Sequence, residues 1–220
     1  RESFAKVVQR ISSKGLLALS LATLSSKCPK LRNVAIGVIF HFLKVLKMKE
    51  AIDLKSWTSR NQLEMLLNAV QRGLTVSRAR RLEQTQDSED KKLLIPMLPN
   101  FSGCFLARAS MILMKPSDDM YAAINKYFLR LSDYHGAFTD CFSLPAFISL
   151  FCTVNESKEQ GRKERFWAIN LLKEGVVDSF SYKMASRKHV PELLLTSSDA
   201  IFMRRGMVED HHECSLLFDT

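Results

Sequence analysis

The apolar residues of this chain recur at three- and four-residue steps almost from end to end, and nowhere do they settle into strand-like alternation. That period belongs to the α-helix, whose 3.6 residues per turn bring such positions onto one face. No Asn-Gly or Asp-Gly pair offers a tight hairpin turn. The expected class is therefore all-α. "FAKVVQRISSKGLLALSLATLSSK" predicts a first helix with Gly15 as its weak point, and Pro29 predicts a fresh helix start. "SWTSRNQLEMLLNAVQRGL" predicts another, with Ser56, Thr58 or Ser59 as N-cap and Gly73 as C-cap.

The stop signals organise the chain. In "ARASMILMKPSDDMYAAINKYFLR", Pro116 must end one helix, because it lacks an N–H and its ring crowds the preceding turn. Ser117, Asp118 or Asp119 can then accept from the free N–H groups of the next helix, and a carboxylate suits that positive end. Two helices joined by so short a corner form an αα-hairpin. A succession of such hairpins suggests an α-solenoid of the HEAT or armadillo kind. The expected organisation is basic helical repeats over 1–73, a charged linker or loop over 74–92, further repeats over 93–198, and a polar tail over 199–220. "KERFWAINLLKEGVVD" reads as an amphipathic helix ending at Gly175, with Phe166 and Trp167 as packing anchors. "SYKMASRKHVPELLLTSS" reads as one or two helices more.

Charge divides along the same line. Residues 1–92 carry 18 basic and 8 acidic side chains, whereas residues 93–220 carry 14 and 15, so the net charge of +9 belongs to the N-terminal part. Such asymmetry suits a polyanionic partner, RNA above all. The basic clusters Lys44, Lys47 and Lys49, then Arg78, Arg80 and Arg81 in the expected loop, then Arg162 and Lys163 ahead of the Trp167 helix, are the candidate phosphate contacts. Each also has an ordinary explanation as solvated charge, and Lys44 to Lys49 would suit a helix C-terminus.

Chemistry is sparsely signalled. The five cysteines form no CxxC pair, and Cys104 and Cys152 lie in apolar runs, which fits free thiols in a reducing compartment. "EDHHEC" offers His211, His212 and Cys214, but adjacent histidines diverge and a second ligand pair is missing. A nucleophilic Cys152–His189 pair would need a proximity that spacing does not supply. The phosphate-loop, dinucleotide, nucleophile-elbow and zinc-protease signatures are absent. No apolar run reaches the length of about 18 residues that a membrane helix requires. The expectation is a protein with no enzymatic activity, no cofactor, no metal and no membrane partner. The chain opens on Arg1 and is read as part of something longer.

Several ordered motifs resemble the C-terminal domain of the nucleolar pre-ribosomal-associated protein 1 family. They are Pro116, Met120, Tyr121, Ile124, Asn125, Phe128 and Leu129; Leu144, Pro145 and Phe147; and Glu164, Arg165, Trp167, Leu171, Leu172 and Gly175. "SRNQLEMLLNAVQRGL" fits the helix upstream, so the likeness spans about residues 57–195. "DYHGAFTDCFSL" and the stretch after Ala200 depart from that pattern. The resemblance implies a segment of a very large helical-repeat scaffold, acting in the nucleolus in early assembly of the large ribosomal subunit. It further implies association with pre-ribosomal RNA and with assembly factors that include a DEAD-box helicase. It carries no catalytic residue over to this chain.

Overall fold

The computed structural model describes residues 4–48, 57–84, 97–133 and 158–203. Among these residues the backbone forms nine α-helices and no strand. They are α1 Phe4–Ser13, α2 Leu16–Thr23, α3 Pro29–Leu46, α4 Arg60–Gln84, α5 Asn100–Leu113, α6 Tyr121–Asp133, α7 Lys158–Gly175, α8 Ser179–Arg187 and α9 Val190–Met203. One core of buried apolar side chains runs through them from Val8 to Val190.

The predicted first helix is two. Gly15 adopts φ 91°, a left-handed conformation that ends α1 and starts α2 at once. Pro29 occupies the opening turn of α3, as its lost N–H allows. α4 begins directly after Ser59, whose carbonyl accepts the Leu63 N–H at 3.1 Å. Its other end differs from expectation. Gly73 is buried mid-helix, Leu74 packs against the core, and the helix continues to Gln84. The boundary placed after residue 73 therefore falls inside α4. The polar stretch that follows is rich in Arg, Leu, Glu and Gln, which are strong helix formers, so low hydrophobicity alone was a poor sign of a loop. Likewise α9 runs to Met203, past the boundary set at 198.

α5 is the centre of the assembly, touching α2, α4, α6 and α7. Nine of its fourteen residues are buried, among them Ser102, Gly103, Ala109 and Ser110. Those small side chains let neighbours come close. A Cβ on Gly103 would collide with Ser25 Oγ, at the C-terminal end of α2. Ser25 Oγ itself donates to the Pro99 carbonyl at 3.1 Å, and the Leu98 N–H donates to the Leu24 carbonyl at 3.0 Å. On the other side a Cβ on Gly175 would stand 2.7 Å from Phe101 Cα. Gly175 does end α7, as expected, but not through a left-handed cap: among the described residues only Gly15 has a positive-φ glycine backbone. Its requirement is clearance for the Phe101 backbone.

Several buried polar groups in this core are satisfied locally. Ser12 and Ser20 hydroxyls donate back to the carbonyls of Val8 and Leu16, each at 2.9 Å. Arg32, only 8% exposed, donates from Nη1 to the carbonyls of Ser26 and Lys27 and so closes the α2–α3 turn. Asp178 caps α8, accepting the Ser181 N–H at 2.7 Å, while its other oxygen accepts from Asn100 Nδ2 at 2.9 Å at the start of α5. The Ser181 N–H holds the Asp178 carboxyl below the usual carboxylate range, against an opposing effect of burial and with help from the Lys27 charge.

Two glycine substitutions should act with opposite sign in thermal melts. Gly175→Ala forces α7 off Phe101 and should cost about 2 kcal/mol, the range of core overpacking. At Gly37, on the exposed side of α3, a Cβ meets nothing within 4 Å, so Gly37→Ala should gain about 0.5–1 kcal/mol from helix propensity. Asp178→Ala should cost about 1 kcal/mol as a lost cap. Because the carboxyl titrates lower folded than unfolded, that contribution is complete above about pH 4 and fades as pH falls through the depressed value. Denaturant titrations of parent and variant across pH should therefore converge in acid.

Candidate nucleic-acid interface

The corner marked by Pro116 is built as a turn and then clamped. α5 closes at Leu113, and the Asp118 N–H donates to the Lys115 carbonyl at 2.9 Å with Pro116 second in the turn. Asp118 Oδ1 accepts the Met120 N–H at 2.9 Å, so of the three candidate caps it is Asp118 that makes this bond. From α7, Gln160 Nε2 donates to the Asp119 carbonyl at 3.0 Å and to Glu164 Oε1 at 3.2 Å. Lys163 Nζ stands 3.2 Å from Asp119 Oδ2 and 3.4 Å from Glu159 Oε1.

That arrangement re-reads the cluster expected ahead of the Trp167 helix. Arg162 and Lys163 lie within α7, which starts at Lys158. Lys163, raised from its usual pKa above all by its hydrogen bond to Asp119, is engaged with two carboxylates, whereas Arg162 is exposed. Arg78, Arg80 and Arg81 are on the C-terminal turns of α4 rather than in a loop. Lys44 and Lys47 are exposed at the end of α3. Beside them Arg60 donates from Nε to the Leu46 carbonyl at 2.6 Å and from Nη2 to the Met48 carbonyl at 3.2 Å, capping α3 from the start of α4. Lys49 and Pro145 lie outside the described residues, as do Cys152 and the "EDHHEC" histidines.

The described motif residues of α6 and α7 lie about the joint that these helices make with α5. Phe105 meets Tyr127 and Trp167 edge-on, with ring centroids 5.4 and 6.2 Å apart, and stacks on Phe128 at 6.1 Å. Tyr121, Asn125 and Arg165 are half-buried. Glu164 is 5% exposed, and Asn125 Oδ1 is shielded without a hydrogen bond among the described residues. Arg108 pairs with Glu174 across α5 and α7. Cys104, near that pair, has its thiol pushed up by burial first and by Glu174 second, which makes it a poor nucleophile. Sequence reading missed Arg32, Gly103 and the Asn100–Asp178 link. Only the last left a trace, in the Asp-Ser pair that opens α8.

Among the described residues no three His, Cys, Asp or Glu side chains stand together as metal ligands, and no helix is long and apolar enough to cross a membrane. An open cleft at the α1–α2 corner, lined by Arg10, Ile11, Lys14, Gly15, Leu16 and Leu19, presents no carboxylate, thiol or imidazole.

Comparison with known proteins then bears on the whole chain. No solved structure matches it. It is similar to the mouse protein named Nucleolar pre-ribosomal-associated protein 1, 24% identical over 196 residues, and to the human protein of that name at 20%. The matched region is 89% of this chain but 7% of each relative, so the chain spans a small part of their length. The sequence model of the family described as Nucleolar pre-ribosomal-associated protein 1 matches residues 17–213, which takes in α2 through α9. The chain belongs to the nucleolar pre-ribosomal-associated protein 1 family.

Proposed function

We propose that this chain is part of a non-enzymatic scaffold in early nucleolar assembly of the large ribosomal subunit. In this reading, helical hairpins stacked in the HEAT or armadillo manner hold pre-ribosomal RNA beside assembly factors, a DEAD-box helicase among them. The family match over residues 17–213 carries the reading, and the compartment is the nucleolus, after the named relatives. Two features of the chain agree with it. Its motif residues Phe128 and Trp167 pack on Phe105, and its basic excess is confined to residues 1–92. A second reading, a protein-binding adaptor without RNA contact, draws on apolar side chains left in solvent: Leu19, Val34 and Val177 are 64%, 65% and 67% exposed.

Crosslinking of the tagged full-length protein in cells, followed by RNA sequencing, separates the two. Crosslinks concentrated in large-subunit precursor RNA are the expected outcome, with crosslinked peptides from the basic part of this chain. Recovery of a stable set of proteins with no ribosomal RNA would leave the adaptor.

A further inference from the structure

Between Glu2 and Glu50 the sequence holds nine Lys or Arg and no Asp or Glu. α1, α2 and α3 therefore build a surface to which their own residues contribute no carboxylate. α3 shows how its cations are placed. Lys30, Gly37 and Lys44 follow at seven-residue steps along its solvent side, and Phe40 and Lys47 form a second such row beside them. All five positions are exposed, Phe40 by 50%. Among the described residues no carboxylate pairs with Lys30, Lys44 or Lys47.

Three details of this row are not explained by the fold. Lys30 is in the first turn of α3, where the helix dipole disfavours a cation, and that turn carries no acidic residue. Gly37 sits mid-helix without a positive φ, and a Cβ there would touch nothing, so neither conformation nor packing calls for glycine. Its cost to the helix is about 1 kcal/mol relative to alanine. Phe40 leaves half an aromatic ring in water between the lysines. Each makes sense if something outside the chain lies along α3. Cations at both ends, about 21 Å apart from Lys30 to Lys44, call for a chain of negative charges. A gap in the side-chain row lets that chain approach the backbone. An exposed ring beside lysines is what base stacking on single-stranded nucleic acid uses.

We propose that the outer face of α3 is a contact surface for single-stranded RNA, with Lys30, Lys44 and Lys47 on phosphates, Phe40 against a base, and Gly37 giving clearance between them. This rests on the RNA-holding reading above and assigns it a place. It also sets Lys163 aside as a structural cation, and it brings Lys30 and Phe40 into a site for which the sequence cluster had suggested Lys44, Lys47 and Lys49.

The test is binding of the 220-residue chain to a labelled oligouridine of about 20 nucleotides over a salt series, with polyglutamate as competitor. Far-UV circular dichroism and melting of each variant confirm folding, which exposed positions should leave intact. Neutralising Lys30, Lys44 and Lys47 together to Gln should lower affinity at least about tenfold and reduce the slope of log affinity against log salt by about 2. Phe40→Ala should lower affinity about tenfold with the slope unchanged. Gly37→Leu should weaken binding while the helix gains stability, a split that a purely structural glycine would not give. If all three variants bind oligouridine as tightly as the parent, the α3 surface is overturned while RNA contact elsewhere on the chain stands. If polyglutamate displaces oligouridine at equal charge, the face belongs to an acidic protein, and the RNA assignment fails. Absence of oligouridine binding by the parent at low salt also overturns it, and crosslinking in cells then judges the scaffold reading separately.

Discussion

The fold depends on how close other helices can come to α5. Neighbours come close there at two points where a side chain is missing: the Ser25 side chain lies against Gly103, and the Phe101 backbone lies against Gly175. Close approach brings many dispersion contacts within range at once, and it fixes the angle of each neighbour, since a helix seated on a backbone has little room to roll. The remaining joints then fall into place around those seats. The Leu98–Leu24 hydrogen bond, the Asn100–Asp178 link and the Arg108–Glu174 pair all lie on elements that the glycines have already brought together. The aromatic group of Phe105, Tyr127, Phe128 and Trp167 fills the third side.

Local chemistry made most of the elements legible. Apolar spacing marked the helices, Pro29 marked a start, the Lys-Pro-Ser-Asp-Asp run marked a corner, and Gly175 marked an end. Each of those features acts within a few residues of itself. What stayed hidden acts over long separations or in competition. Gly73 carries the local signature of a helix end, yet α4 continues because Gly73 is buried, Leu74 packs on the core and the residues beyond favour helix. Gly175 was identified as an end, but its reason is Phe101, which is 74 positions earlier and invisible to any window.

The candidate site shows the same division. That cations crowd the N-terminal part can be counted from the sequence, but which of them are available cannot. Lys163 looks like part of a phosphate-binding cluster until Asp119 and Glu159 are seen beside it. Lys30 attracts no notice in sequence, being a single lysine after a proline. Its position on the same row as Gly37 and Lys44 emerges only once α3 is known to run unbroken from Pro29 to Leu46.

The seat of α2 on α5 has a consequence for how the chain comes off the ribosome. Ser25 and Gly103 are separated by a long stretch of chain, so the face of α2 that α5 covers is made well before its cover. At about 5–20 residues per second, α5 follows α2 by several seconds. During that interval the α2 surface is open, and non-local closure of this kind is slow compared with helix formation. A nascent chain of this family segment therefore passes through a stage in which the most apolar of its described helices waits uncovered, a stage at which a chaperone has something to hold.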